Sequence, residues 1–292
     1  MIRSTSRSEP GRHQSSPPRR TRFTGAALAG ATLLALIAGL AGCTPSSSAP
    51  THTRSADHTS QPAPSTSTDG PTPSVTPSTS LTTPATPRVN CAKVKCVALT
   101  FDDGPVAETT ELLTVLRAKK VKATFFVLGR QVVREPAVIR QIVADGHVVG
   151  NHSWDHPLLT RLSLAKVRAQ LVRTNRAIVA AGAPAPVVFR PPYGGTNRAI
   201  LRIAGAQGMT QVLWDVDPLD WRDRNSAVVA SRVVAATRNG SIVLSHDIHP
   251  TTRAAYARII DRLRARGFQF VTVPELLGSR LRPGASFRSV HR

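Results

Sequence analysis

Two carboxylates stand side by side at Asp102 and Asp103, directly after the run Val97-Ala98-Leu99-Thr100-Phe101 and directly before Gly104-Pro105. The apolar run reads as a buried strand, and the Gly-Pro pair as its end. Adjacent acids at a strand end repel each other and lose hydration. A cation on one of them would remove that penalty and leave the other free to accept a proton. Further along, His152 and His156 are four residues apart. They face one side if the segment makes a single helical turn, which is zinc-ligand spacing. Pro157 disfavours helix at His156, so one turn or a loop is expected there. Alone, the histidine pair equally describes two satisfied or exposed side chains. With the Asp pair it supplies three ligands and leaves open positions on a metal.

Three more segments carry chemistry-bearing residues after apolar runs. Arg190 enters a Pro191-Pro192-Tyr193 turn, either as a structural ion pair or as an aimed guanidinium. Asp215, Asp217 and Asp220 precede Trp221, where simple loop solvation is the bland alternative. Leu244 and His246 follow the run that begins at Ser241. A histidine at a strand end, held by an acid from another loop, can serve as a protonated general acid.

Regular alternation must position these groups. Strands are expected at 97–101, 123–128, 147–150, 187–189, 209–214, 241–245 and 268–273. Helices are expected at 108–119, 135–144, 163–181, 197–207, 227–237 and 253–266, with Ile259, Ile260 and Leu263 inward and Arg262, Arg264 and Arg266 outward in the last. Seven strand–helix-like units argue for a parallel α/β architecture: a (β/α) barrel with one unit fewer than eight, with a doubly wound open sheet as the alternative. Both gather ligand sites at the carboxyl ends of strands.

Composition divides the chain. Residues 1–89 are rich in Ser, Thr, Pro, Ala and Arg, and the remaining stretch is long enough for one domain with a sizeable core. Arg19, Arg20 and Arg22 precede an apolar stretch from Thr24 to Leu40, and Leu40-Ala41-Gly42 lead to Cys43. Residues 1–42 thus read as a signal peptide of the bacterial lipobox kind, with Cys43 carrying the lipid. Arg19-Arg20 weakly matches a twin-arginine export signal. Residues 43–89 read as a disordered tether, 90–280 as the folded domain and 281–292 as a basic tail. With Cys43 set aside, Cys91 and Cys96 remain as an even pair, suited to a small disulfide loop in an oxidising compartment. The formal net charge is +21. The basic residues are scattered along helices without a recognition motif, which argues against nucleic acid and for an anionic wall or membrane surface.

Taken together, Thr100-Phe101-Asp102-Asp103-Gly104-Pro105, His152-Ser153-x-x-His156, Arg190-x-Pro192-Tyr193, Asp217-x-x-Asp220-Trp221 and Leu244-x-His246 resemble the five ordered motifs of the polysaccharide deacetylase family, the NodB-homology group or carbohydrate esterase family four. The resemblance covers about residues 95–275 and implies a distorted (β/α) barrel. It implies that Asp103, His152 and His156 bind a divalent metal, usually zinc, with cobalt or another divalent ion as the alternative. Asp102 would be the general base and His246 the acid that protonates the leaving amine. Arg190 would orient Asp102, and the Tyr193 backbone N–H would help stabilise the oxyanion. An acid of the fourth motif would hold His246, Asp220 before Asp217. Leu244 and Trp221 would line the acetyl slot. His147 and His249 match no functional position of the family. The expected activity is therefore removal of acetyl groups from an N-acetylated envelope glycan, with N-acetylglucosamine of peptidoglycan first. Chitin oligomers come second, and O-acetylated xylan third. A membrane lipid anchor and the glycan are the expected partners, outside the cytoplasm; a non-catalytic glycan-binding lipoprotein is the contrasting class.

Overall fold

The structure is a computed structural model and describes residues 89–291. Cys43, the proposed leader and nearly all of the proposed tether lie outside the described residues. Eight strands form one sheet: β1 (Lys95–Asp102), β2 (Thr124–Val127), β3 (Val148–Asn151), β4 (Val188–Phe189), β5 (Thr210–Val212), β6 (Ser241–Val243), β7 (Phe268–Phe270) and β8 (Ser286–Phe287). Every pairing is parallel, in the order β6-β1-β2-β3-β4-β5-β8, with β7 also on β1. β1 is central: β7 pairs with its first residues and β6 with its middle. Its continuous burial from Cys96 to Asp102 follows from having layers on both faces.

The sheet curls on itself. Val216, just beyond β5, bridges to Val243 of β6, and the Leu244 N–H donates to the Val216 carbonyl at 2.9 Å. The distorted barrel is the form found, rather than an open doubly wound sheet.

Helices cover the outside: α1 (Thr109–Ala118), α2 (Gly129–Arg134), α3 (Pro136–Ala144), α4 (Leu164–Ala180), α5 (Arg198–Ala206), α6 (Asp220–Asp223), α7 (Ser226–Ala236), α8 (Pro250–Ala265) and α9 (Val273–Leu277). Their apolar stripes face the sheet: Leu112, Leu113 and Leu116 of α1 and Ile259, Ile260 and Leu263 of α8 are buried. Each such side chain contributes about 1.5–3 kcal/mol. Phe101 sits between Phe125, at 5.1 Å, and Tyr256, at 4.6 Å, which ties β1 to β2 and α8. Ser163, Asn197 and Asn225 cap α4, α5 and α7 through their side chains, which sets where those helices begin.

The structure departs from the sequence expectation at the carboxyl end. The segment 281–292 is not a tail beyond the domain. Its β8 pairs with β5, and Leu281, Phe287 and Val290 pack into the core with Val212 and Ile242. The expected strand 268–273 ends at Phe270, because Thr272 and Glu275 form a capping box that starts α9. Neither α2 nor α6 is among the expected helices; α2 forms beside the His152–Pro157 loop, whose carbonyls of Ser153 and Trp154 accept from Gly129 and Arg130. Cys91 and Cys96 are joined by a disulfide at the entrance to β1.

Candidate active site

The strand ends bring the motif residues to one cleft of about 490 Å³. Asp102 is still in β1, and its N–H donates to the Ser245 carbonyl at 2.8 Å. Asp103 turns out of the strand with φ 74°. Left-handed backbone is uncommon for residues other than glycine, and it recurs here at Ser153, His156, Tyr193 and Leu219. Such conformations cluster where surrounding structure imposes a functional geometry.

Arg190 locks Asp102 in place. Its Nη1 donates to Asp102 Oδ1 at 2.8 Å and to Thr100 Oγ1 at 2.7 Å. Nε and Nη2 donate to the carbonyls of Val212 and Leu213 at 3.2 and 3.1 Å. The guanidinium lies 4.1 Å from the centre of the Phe126 ring. Arg190 and Asp102 are both buried. Burial raises the Asp102 pKa, and Arg190 and His246 offset this only in part. Asp102 is thus a carboxylate held in one orientation with elevated basicity.

Asp103, His152 and His156 each offer an atom within 4.8 Å of the others. The separations from Asp103 Oδ1 are 3.6 Å to His152 Nε2 and 3.4 Å to His156 Nε2. His152 Nδ1 must donate to the Arg190 carbonyl, 2.7 Å away, so its Nε2 lone pair faces Asp103. Burial pushes the His152 pKa down to about 3, which keeps the ring neutral, as a ligand must be. Asp103 Oδ1 is buried with no hydrogen-bond partner. An orphaned acceptor between two imidazoles fits a divalent cation. The loop between the histidines is not a helical turn: Ser153 Oγ accepts from the His156 N–H at 3.2 Å, and Gln170 of α4 accepts from the Trp154 N–H at 2.7 Å.

His246 lies on the opposite side, bridged to Asp102 through the backbone. Its Nδ1 donates to Asp220 Oδ1 at 2.9 Å, and its N–H to Asp220 Oδ2 at 2.8 Å. Thr252 Oγ1 also donates to Asp220 Oδ2, at 2.8 Å. Burial opposes charge on His246, but the Asp220 bond and charge outweigh it and lift the pKa to about 9. Of the two acids considered for this role, Asp220 takes it; Asp217 instead accepts from the Leu219 N–H at 2.8 Å and faces the cleft.

Leu244, Trp221 and Tyr193 line the cleft as expected. The Tyr193 ring meets His156 edge-on at 4.4 Å and is 70% exposed, so it forms the rim. Trp214 was not singled out from the sequence, although it closes the expected strand 209–214, a strand end like the others. Thr252 had no sequence signal, because only the packing of α8 brings it to Asp220. His147 is buried behind β2, and His249 accepts from Arg224 Nη1 at 2.7 Å; neither lines the cleft.

The fold and the site define a parallel α/β barrel with, among the described residues, a single candidate metal centre at its strand ends. The polysaccharide deacetylase family profile matches residues 89–212, and the chain belongs to that family. It is 41% identical over 203 residues to the peptidoglycan-N-acetylglucosamine deacetylase PgdA of Listeria monocytogenes, covering 69% of this chain and 43% of that protein. It is 36% identical over 189 residues to a peptidoglycan-N-acetylglucosamine deacetylase of Bacillus cereus, covering 63% of this chain and 88% of that one. A solved T48 deacetylase with substrate superposes with a TM-score of 0.66 at 36% identity, over 68% of this chain and 99% of the other. The chain spans less than half the length of the Listeria protein.

Proposed function

We propose that this protein hydrolyses the acetamido group of N-acetylglucosamine units in peptidoglycan, with one divalent ion, zinc in our reading, held by Asp103, His152 and His156. The observation that carries this is the placement of a buried carboxylate and a histidine held by a second carboxylate on two sides of one ligand set. When bound there, a divalent ion supplies Lewis-acid polarisation of the acetyl carbonyl and acidifies water. Asp102 removes the proton of the water that attacks the carbonyl carbon. The Tyr193 backbone N–H supplies a donor to the developing oxyanion. As the C–N bond breaks, His246 gives the amine its proton from Nε2, while Asp220 keeps the ring oriented and charged. Acetate and a free amino sugar result. An amide needs this acid more than an ester does, because an unprotonated amine leaves poorly; His246 therefore favours N-deacetylation. Leu244, Trp214 and Trp221 wall the space in which the acetyl methyl is held.

The Cys91–Cys96 disulfide supports an extracytoplasmic setting. In this proposal Cys43 carries a lipid, and residues 43–89 tether the domain to the outer face of the membrane.

The zinc-loaded protein, incubated with peptidoglycan, with an N-acetylglucosamine oligomer and with acetylated xylan, tests the reading. Acetate should come from peptidoglycan and cease after chelation. Acetate from xylan alone would overturn the amide assignment.

A further inference from the structure

A 59-residue stretch of the chain holds no acid. Between Asp155 and Asp215 there is neither Asp nor Glu, yet seven exposed cations occur: Arg161, Lys166, Arg168, Arg173, Arg176, Arg198 and Arg202. None of the seven forms an ion pair among the described residues. On the other side of the barrel acids are interspersed among the cations, although Arg258, Arg262 and Arg264 of α8 also form no ion pair among the described residues. There, Arg117 pairs with Asp145, Lys119 with Asp261, Arg253 with Glu111, and both Arg222 and Arg232 with Asp223. The unpaired cations sit on α4, on α5 and on the turn that leads into α4, and the two helices pack together over Leu171, Ile200 and Ile203. Like charges left uncompensated on neighbouring helices repel one another and create a positive field.

This face adjoins the cleft. Pro191 and Tyr193, which line it, lie on the same acid-free stretch. α4 is bound directly to the loop of the candidate ligands: Gln170 holds the Trp154 N–H and donates to Asp155 at 2.7 Å, and the Arg173 guanidinium lies 3.5 Å from the centre of the Trp154 ring. Asp155, the acid that begins the stretch, is engaged by Gln170.

We propose that the α4–α5 face is a docking track for a linear phosphodiester polymer that lies beside the cleft. Six of the seven cations are arginine, whose planar fork pairs with phosphate oxygens two at a time. A flat membrane on this face would cover the rim that a polysaccharide must cross, whereas a thin chain leaves it open. The track is independent of the deacetylase reading, since none of its residues belongs to the catalytic set.

The test compares two fourfold variants of the full chain with the same change in net charge. One carries Lys166→Gln, Arg176→Gln, Arg198→Gln and Arg202→Gln; the other carries Arg258→Gln, Arg262→Gln, Arg280→Gln and Arg282→Gln. Binding to poly(glycerol phosphate) is titrated across a salt series, with thermal melting and acetate release on a short uncharged substrate as checks. The track variant should lose about 30-fold in affinity at low salt, and its slope of log K against log salt should flatten by about 3, at about 0.7 for each phosphate no longer neutralised. The control variant should stay within about threefold of wild type on the same basis. Equal losses in both would overturn the track in favour of bulk charge. Selective loss on anionic phospholipid vesicles, with the polymer unaffected, would overturn it in favour of a membrane surface. If the fourfold variant melts early, the pairs Lys166→Gln/Arg176→Gln and Arg198→Gln/Arg202→Gln, measured separately, should each lose about half the effect on the logarithmic scale; no loss in either would overturn the track.

Discussion

Arg190 reaches Asp102 across the barrel with a 2.8 Å bond, and both side chains are sealed from solvent. The four hydrogen bonds of that guanidinium leave Asp102 one orientation. Removing either partner strands a buried charge. Arg190→Gln should destabilise the domain by about 3–5 kcal/mol, read from denaturant unfolding. Acetate release should fall with it even where the variant remains folded, since Asp102 loses its fixed aim. A variant with wild-type stability would show that the pair is not held as described.

In the proposed reaction, the His246–Asp220 pair sets the basic limb of activity. His246 acts as an acid only while protonated, and its pKa of about 9 keeps it so through neutral pH. Asp220→Asn removes the charge that raises this value. The descending limb of kcat/KM should then move down from about 9 towards the ordinary imidazole range near about 6.5. The same shift bears on stability. A folded pKa above the unfolded one contributes stability that is complete below about 6.5 and is lost as pH rises through about 9. Chemical unfolding of wild type and Asp220→Asn at pH 6 and pH 9 checks the sign: the wild-type advantage should shrink at the higher pH.

His147 predicts the opposite dependence. It is buried, its Nδ1 accepts from the Ala123 N–H at 3.1 Å, and its Nε2 has no partner. Burial lowers its pKa to about 4. The unfolded chain therefore binds a proton between about 6.5 and about 4 that the folded chain refuses, so stability falls as pH drops through that window. The loss should approach about 3 kcal/mol. His147→Gln can keep the bond to Ala123 without titrating, and its stability should fall less steeply than wild type over the same range, the remaining slope coming from other buried groups such as His152.

The carboxyl-terminal strand should behave as part of the domain. Phe287→Ala removes a ring packed with Val212, Ile242 and Val290 and adjoining the β5 edge, and should destabilise by about 2 kcal/mol. Equal melting temperatures for this variant and wild type would place the segment outside the cooperative unit.

The site was legible in the sequence because its residue types are improbable where they fall. Paired acids, spaced histidines and an arginine at the ends of apolar strands are costly to bury unless they pair with one another or hold a cation. Strand and helix order followed from period alone, and each of the seven expected strands is found, most of them shortened. What escaped depends on neighbours distant in sequence. Thr252 reaches Asp220 only because α8 packs beside α7. β8 is two residues in an Arg-, Pro- and Gly-rich segment, and nothing local distinguishes it from a tail; the open edge of β5 makes it a strand. The end of β7 could have been read, since Thr272-x-x-Glu275 is a capping-box pattern. The order Asp220 before Asp217 was given by the family resemblance, and its physical reason is the short helix α6, whose left-handed entry at Leu219 leads directly into the buried Asp220.

Asp102→Asn bears most directly on the central claim. Bound zinc and acetate released from peptidoglycan are measured on the same sample. The account predicts that the variant keeps one zinc per chain, because Asp103, His152 and His156 are intact, while acetate release falls by about 10²- to 10⁴-fold. A variant that holds zinc and deacetylates at the wild-type rate would contradict the assignment of Asp102 as the base.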